Sequence, residues 1–304
     1  MQKVLITGIA GGLGRLVAER LGKNMSVVGV DHTPWVGHPP QFTMITADLR
    51  KKKVEDVFRR ERPDIVVHLG LERHNFDPAL RHDVNVGGTK RVIEAAAAYG
   101  TSNIIILTSS YVYGALPRNP FYMDEETTLN VSRHYPEIRD IAEMDAIATN
   151  FLWRYPEIRT AVLRPASTLG PRTHSSIATY LRLNPSPKLI GFDPLVQFIH
   201  ELDVADAIQK AIETGIRGVF NIVGPGAVPI STAIRESGGT ALPVPETPTR
   251  VLLRNLFRWG LFPFPADAVD FIKYPCTIDG RRFREATGFL AQRSLGETLR
   301  SVRP

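Results

Sequence analysis

The chain has 304 residues, of which 43% are hydrophobic and 22% charged, with a formal net charge of +6. These values exclude a disordered protein, and the length favours about two domains. Residues 250–304, with ten basic and five acidic side chains, supply most of the surplus charge. A local surplus of positive charge indicates a phosphate-bearing substrate or an anionic membrane surface. It does not indicate nucleic acid, because no nucleic-acid-binding module is present. The alternative is a solvated basic surface without a partner.

The single cysteine, Cys276, excludes a disulfide framework and a cysteine-based metal cluster. The histidines have no metal-ligand spacing among themselves, so no metal is expected. No run of about 18 uncharged apolar residues occurs, which excludes a membrane span. The N-terminus runs directly into a glycine-rich turn without a signal-peptide cleavage region. We therefore expect a reducing, cytoplasmic compartment.

Short apolar runs without alternation predict strands buried on both faces at residues 3–7, 26–30, 42–45, 64–69, 103–107, 159–163 and 218–223. Apolar residues at helical spacing predict helices at 13–21, 51–60, 84–99, 136–153 and 203–213. Strand and helix alternate, which predicts an α/β fold with a doubly wound parallel sheet and helices on both faces.

The segment TGIAGGLG, residues 7–14, joins the first predicted strand to the first predicted helix. Gly8 permits a tight turn, Gly11 lets the backbone approach a pyrophosphate, and Gly14 lets the helix pack on the strand. The helix start, with Gly12 and Leu13, offers unpaired N–H groups to phosphates. The spacing and its context predict a dinucleotide-binding turn of the Rossmann type.

Asp31 ends the second predicted strand, 23 residues beyond Gly8. A carboxylate at this position accepts hydrogen bonds from an adenosine ribose. The same carboxylate repels a 2′-phosphate, and no arginine follows it directly. The sequence therefore predicts NAD rather than NADP as the cofactor.

Further segments resemble the extended short-chain dehydrogenase/reductase family, the NAD-dependent epimerase/dehydratases that include UDP-glucose 4-epimerase. They are Ala47-Asp48-Leu49, His68-Leu69-Gly70, NVGGT at 85–89, TSSYVYG at 108–114, Leu163-Arg164-Pro165, and Phe198-Ile199-His200 with Asp203. The resemblance covers about residues 1–225. It implies further NAD contacts by Asp48, Leu49, Leu69, Gly70, Arg139 and Pro165.

The resemblance also implies a domain division. Residues 1–165 are expected to form the NAD-binding Rossmann domain, to which 203–223 return. Residues 166–304, where proline and glycine become frequent, are expected to form a smaller substrate-binding domain. A homodimer is possible.

The family's catalytic set maps onto three residues. Ser109 lies four residues before Tyr113, at the family's spacing, although its neighbour Ser110 stays an alternative. Tyr135, 26 residues after Ser109, is the expected acid–base, although a second YPEIR copy, which begins at Tyr155, leads into a strand. Arg139 stands where the family has lysine. Arginine lowers the pKa of a tyrosine by charge but does not release a proton.

Two departures concern the substrate. Ser167 and Val196-Gln197 occupy positions where the family often has asparagine and arginine on a nucleotide phosphate. Arg172, Arg182 or the basic C-terminal segment are possible replacements. The resemblance implies a nucleotide-sugar epimerase or dehydratase. An NAD-dependent reductase or dehydrogenase of a non-nucleotide alcohol or ketone, and a non-catalytic dinucleotide-binding protein, remain alternatives.

The segment RVLLRNLFRWG, residues 250–260, predicts a short amphipathic helix with Arg250, Arg254 and Arg258 on one face. One interpretation is a substrate-domain helix whose leucines pack inward. The other is an entry surface, together with residues 261–265, for a lipid-linked or otherwise anionic amphiphile.

Overall fold

A computed structural model describes residues 1–72, 77–130, 136–259 and 266–303 of the chain. Its strands are β1 (Lys3–Thr7), β2 (Ser26–Asp31), β3 (Thr43–Thr46), β4 (Ile65–His68), β5 (Asn103–Leu107), β6 (Arg159–Pro165), β7 (Ser167–Leu169), β8 (Ser186–Leu189), β9 (Leu195–His200), β10 (Gly218–Ile222), β11 (Ala227–Pro229) and β12 (Ala241–Val244). Seven form one parallel sheet in the order β3-β2-β1-β4-β5-β6-β10. The predicted doubly wound α/β sheet is confirmed, and its strand order reverses between β1 and β4.

The α-helices are α1 (Gly12–Leu21), α2 (Lys53–Glu61), α3 (Pro78–His82), α4 (Gly88–Ala98), α5 (Pro136–Arg154), α6 (Ser176–Arg182), α7 (Glu201–Thr214), α8 (Ile230–Glu236), α9 (Glu246–Arg258), α10 (Arg281–Thr287) and α11 (Leu295–Arg300). The predicted start of the helix over 84–99 is wrong. The chain is already helical at Pro78, because Asp77 accepts hydrogen bonds from Ala79 and Leu80 and caps that end. A π-helical turn, Asp83–Gly87, then leads into α4.

The large sheet carries a core on each face. In β1, Val4 and Ile6 pack toward one cluster that includes Val17 of α1, while Leu5 packs toward another that includes Phe58 of α2. Successive side chains of a strand point to opposite faces. A central strand covered on both sides therefore needs apolar residues throughout, and this explains the unbroken apolar run.

The remaining strands form two small sheets, β7-β9-β11 and β8-β12. A third apolar cluster lies with them and includes Leu169, Ile177, Phe198 and Ile234. The strand β10 follows α7 and pairs with β6, so the chain re-enters the large sheet before its C-terminal segments. The domain boundary at residue 165 stays a prediction.

Candidate active site

The turn between β1 and α1 is shaped by glycines. Gly8 has φ +72°, and a Cβ there would lie 2.8 Å from the backbone nitrogen of Gly70. A Cβ at Gly14 would collide with the carbonyl oxygen of Gly8. Among the described residues, a Cβ at Gly11 would meet only that same oxygen, at 3.3 Å. The outer side of Gly11 is therefore open to a ligand that approaches the backbone.

The start of α1 faces the same side as this turn. Gly11 precedes the helix with extended backbone angles and has no side chain to cap it. The first N–H groups of a helix lack intrahelical partners, and together with the helix dipole they favour an anion. A Cβ at Gly12 would collide with the carbonyl of Arg172, and Leu13 packs against the core, so these two residues shape the helix start.

A cavity of about 480 Å³ lies against the turn, where the strand order reverses. Of the predicted cofactor residues, it is lined by Gly8, Gly11, Asp31, Asp48, Leu49, Leu69 and Gly70. Gly12, Leu13, Gly14, Arg139 and Pro165 do not line it. Open α/β sheets bind their ligands at such a reversal, outside the carboxyl ends of the strands.

Asp31 ends β2 and is buried, with its carboxylate toward the turn. It accepts hydrogen bonds from the backbone nitrogens of Ala10, at 2.9 Å, and Thr33, at 3.0 Å. Each carboxylate oxygen has a second lone pair, so a ribose hydroxyl still finds an acceptor. Asp31 thus holds the glycine turn and lines the cavity at once.

Two arginines that the sequence pattern did not indicate also line this cavity. Arg50 donates to both carboxylate oxygens of Asp48, with Nη2 to Oδ2 at 2.6 Å, and this hydrogen bonding lowers the pKa of Asp48. Arg15 donates from Nε to the carbonyl of Ala10 at 2.9 Å and lies 5.3 Å from the centroid of the Trp35 ring. A linear pattern around Asp31 misses them, because one comes from α1 and the other follows β3.

Ser109 follows β5 at the carboxyl edge of the sheet. Its Oγ accepts a hydrogen bond from the backbone nitrogen of Tyr111 at 3.2 Å, so its O–H is still able to donate. Ser110 is buried, whereas Ser109 is half-buried. Two strand spacings separate β5 from β1, so Ser109 stands roughly 10 Å from the glycine turn.

A buried network holds the segment that carries Ser109. Arg164 donates to Asp145 through Nη2 at 2.6 Å and through Nε at 2.9 Å. Thr108 donates to the same carboxylate at 2.9 Å. Arg164 also donates to the hydroxyl of Tyr113, which in turn donates to Asn221. Arg164 of the Leu-Arg-Pro segment and Tyr113 of the Val-Tyr-Gly segment therefore belong to one hydrogen-bonded network, which we name the brace. Its acidic member, Asp145, was not indicated by the sequence pattern.

Tyr135 lies outside the described residues. The helix that should begin beside it does begin at Pro136, as predicted. Arg139 is 44% exposed, and its Nη2 lies 3.8 Å from Oδ1 of Asp140. Asp140 is buried and accepts a hydrogen bond from Nε of Arg81 at 2.8 Å. The roles of Tyr135 and Arg139 stay predictions.

The positions of the expected phosphate anchors are used differently here. Ser167 shares a hydrogen bond of 3.0 Å with the hydroxyl of Tyr111. Gln197 is buried and accepts a hydrogen bond from the backbone nitrogen of Ile278 at 3.0 Å. Neither side chain brings a positive charge, although Gln197 lines a cavity of about 610 Å³ together with Arg281 and Arg284.

The suggested replacements also have other partners. Arg182 donates to the carbonyls of Gly170, Thr173 and Val302, which ties the C-terminal segment to the loop after β7. Arg172 pairs with Glu19 at 3.4 Å. Arg182 thus serves the fold, and Arg172 lies at an exposed ion pair.

A second cavity, of about 90 Å³, lies between α6 and α9, with Tyr111 in its lining. Its described lining residues are Tyr111, Ser176, Ile177, Tyr180, Leu183, Pro187, Thr249, Leu253, Ala268, Val269, Phe271 and Ile272. None of them is a lysine, an arginine or an acid, and the Tyr180 hydroxyl donates to the Pro187 carbonyl at 2.7 Å. We name this cavity the apolar pocket; it fits an apolar group, and none of its described lining residues offers a cation to a phosphate.

Together, the sheet, the glycine turn and the acid at the end of β2 define a dinucleotide-binding protein with a Rossmann fold. More particularly, the chain belongs to the NAD-dependent epimerase/dehydratase family, whose model matches residues 4–223. NAD is the cofactor of this family, and the cavity beside the glycine turn fits it. The family predicted from the sequence is confirmed.

Individual proteins show the same relationship. The uncharacterized protein Rv0501 of Mycobacterium tuberculosis (strain H37Rv) is 28% identical over 256 residues, covering 80% of this chain and 67% of that protein. An N-acetyl-alpha-D-glucosaminyl-diphospho-ditrans,octacis-undecaprenol 4-epimerase of Escherichia coli O157:H7 is 26% identical over 181 residues, covering 59% of this chain and 53% of that protein. The structure of Thermus thermophilus UDP-glucose 4-epimerase with NAD superposes with a TM-score of 0.77 at 20% identity, covering 99% and 97% of the two chains. At that identity the superposition shows the fold alone.

Within the described part of the chain, no helix has the length and apolar character needed to cross a bilayer.

Proposed function

We propose that this chain is an epimerase- or dehydratase-like oxidoreductase that moves a hydride between NAD and a carbon bearing a hydroxyl group, on a nucleotide sugar. One observation carries the proposal: the glycine turn and Ser109 stand two strands apart on the same edge of the sheet. A nicotinamide ring reaches across such a distance from its pyrophosphate. The nucleotide-sugar part is supported by a relative named as a UDP-glucose 4-epimerase, from Mycolicibacterium smegmatis, which is 26% identical over 184 residues.

The residues have distinct roles in this proposal. Bound NAD supplies the hydride acceptor. Ser109 donates a hydrogen bond to the substrate oxygen, and Tyr135 takes the proton of that hydroxyl as the carbon loses its hydride. Arg139, four residues beyond Tyr135, lowers the tyrosine pKa by its charge. The brace between Arg164 and Asp145 keeps the Ser109 segment in position.

A second candidate is a reductase or dehydrogenase of a non-nucleotide alcohol or ketone. The apolar pocket favours it, because Tyr111, two residues after Ser109, lines that pocket. Ser167 and Gln197, which stand where the family often has phosphate anchors, bond to Tyr111 and Ile278 instead, and this favours it as well. The Escherichia coli O157:H7 relative is named for a substrate that carries an undecaprenol chain. In this candidate an apolar part of the substrate occupies the pocket while its carbinol carbon faces Ser109.

The two candidates are tested on the same protein. UDP-sugars with NAD are followed by NMR for epimerisation or dehydration, and apolar secondary alcohols are followed by NADH absorbance. Ser109→Ala should lower turnover about 100- to 1,000-fold with NAD affinity unchanged, since one donor to the reacting oxygen is lost. Ser110→Ala is the matched control, because Ser110 is the buried neighbour.

Equal losses in the two serine variants, or no loss in either, would contradict the role of Ser109. Tyr135→Phe should abolish turnover and keep NAD affinity, because the ring is retained and only the phenol oxygen is removed. A fully active Tyr135→Phe protein would remove Tyr135 from the reaction.

A further inference from the structure

The helix α9 has two apolar faces rather than one. Leu253, on its inner face, packs against the third apolar cluster. On the outer face, Val251 is 51% exposed, Leu252 is 56% exposed, and Trp259, directly after the helix, is 62% exposed. At 100° per residue these three side chains fall within one third of the helix circumference. They form a small apolar stripe in contact with solvent.

The arginines of α9 have different surroundings. Arg250, Arg254 and Arg258 lie four residues apart on one helical face, as expected. Arg250 is half-buried and pairs with Glu246 at 2.9 Å and with Asp270 at 2.5 Å. Arg254 and Arg258 remain exposed beside the apolar stripe, and neither forms a hydrogen bond or an ion pair with any described residue. We name Val251, Leu252, Arg254, Arg258 and Trp259 the outer face of α9.

Size and composition indicate what this face binds. From Val251 to Trp259 the helix rises about 12 Å, and the outer face has five residues, whereas a stable protein interface has about 20–30 residues a side. Arginine pairs with lipid phosphates, and tryptophan is enriched where a bilayer meets water. A basic stripe beside an apolar stripe is the pattern of a helix that lies in that boundary. We propose that the outer face of α9 contacts an anionic membrane surface.

The position of the helix gives this contact a use. Thr249 and Leu253 line the apolar pocket, and so does Tyr111, two residues after Ser109. The helix that touches the lipid therefore also forms a wall of the apolar pocket. A membrane-borne substrate with an apolar group would reach the pocket without crossing water. This last consequence rests on the proposed function, whereas the membrane contact does not.

The test is co-sedimentation of the full chain with vesicles of phosphatidylcholine alone or of phosphatidylcholine with phosphatidylglycerol, at low and physiological salt. We expect binding only to the vesicles with phosphatidylglycerol, and weaker binding at physiological salt. The double change Arg254→Ala and Arg258→Ala should lower the partition coefficient about 30-fold at low salt. Leu252→Ser with Trp259→Ser should lower it at both salt concentrations.

Matched controls use surfaces away from α9. Lys90→Ala with Arg91→Ala removes two exposed cations of α4, and Trp153→Ser removes an exposed tryptophan of α5. Both proteins should bind the vesicles like the parent. No bound fraction at low salt, or equal losses in the α9 and control variants, would overturn the proposal. An α9 variant that changes the sedimentation coefficient without vesicles would show an interface between copies instead.

These experiments need no turnover. Vesicle binding without hydride transfer would contradict the proposed function and leave the membrane contact standing. Hydride transfer by a chain that does not bind vesicles would contradict the membrane contact and leave the proposed function standing.

Discussion

Single alanine substitutions in the turn between β1 and α1 should separate cofactor binding from folding. Gly11 has φ −68° and ψ 160°, which any residue adopts. Its Cβ would meet only the Gly8 carbonyl oxygen among the described atoms, at 3.3 Å. We therefore expect Gly11→Ala to change the free energy of unfolding by less than about 1 kcal/mol. The methyl group would occupy the side open to a pyrophosphate. Losing one charge-assisted hydrogen bond, about 1.5–3 kcal/mol, lowers NAD affinity about 10- to 150-fold.

Gly14→Ala is the opposite case. Its Cβ would collide with the Gly8 carbonyl oxygen and lie 2.7 Å from Cα of Ile9, so the backbone must move. Overpacking of this kind costs about 1–3 kcal/mol, and the better helix propensity of alanine offsets up to about 1 kcal/mol. We expect Gly14→Ala to lose about 1–2 kcal/mol of unfolding free energy.

Urea unfolding and NAD calorimetry on the two variants and the parent provide the measurement. The expected result is a stable Gly11→Ala protein that binds NAD poorly, and a less stable Gly14→Ala protein. If Gly11→Ala kept the parent's affinity, or lost as much stability as Gly14→Ala, the open side of Gly11 would not be the cofactor side.

Three further predictions follow from buried polar groups. Asp31→Asn should lower NAD affinity about 5- to 150-fold in calorimetry. The parent protein should bind NAD more tightly than NADP. Tighter binding of NADP would indicate that Arg15 and Arg50 bind a 2′-phosphate instead. Burial lowers the pKa of His68 to about 4, whereas its pKa in the unfolded chain is 6.5. The unfolded chain therefore binds more protons between these two pH values. The free energy of unfolding should fall by up to about 3 kcal/mol as the pH drops from 6.5 to 4. Urea titrations of His68→Gln should lack this part of the pH slope, and identical slopes would refute it. Asp145→Asn should lower the free energy of unfolding by about 3–5 kcal/mol, because it breaks a buried pair; a loss below about 1 kcal/mol would mean that the brace is dispensable.

Local patterns were sufficient for most of the sheet. The run at 3–7 is apolar because β1 is covered on both faces, and the strand has these bounds. The helix α9 shows where a local rule fails. A start at residue 250, just after Pro248, was expected, but the helix begins at Glu246. Proline is tolerated in a first helical turn, since the N–H that it lacks would have no helical partner there.

The candidate site likewise has parts that local sequence patterns predicted and parts that they did not. The glycine turn was predictable because it meets a backbone requirement within eight residues. The brace was not, because Asp145 receives Thr108 from 37 residues before it and Arg164 from 19 residues after it. Arg50 likewise lines the cofactor cavity, although the segment Ala47-Asp48-Leu49 before it did not indicate an arginine. Side chains that meet only through the fold leave no spacing in the sequence.

The apolar pocket is lined by residues from Tyr111 to Ile272, which only the fold brings together, and its chemistry restricts what binds there. A diphosphate buried without a cation or a hydrogen-bond donor costs several kcal/mol. No cation lines the apolar pocket among the described residues, so a diphosphate has to stay outside it. Leu253 lines the pocket, and Arg254 is the next residue along α9, on its exposed side. A nucleotide sugar therefore does not fit wholly inside the apolar pocket, and in either proposed function an anionic group of the substrate would lie outside it.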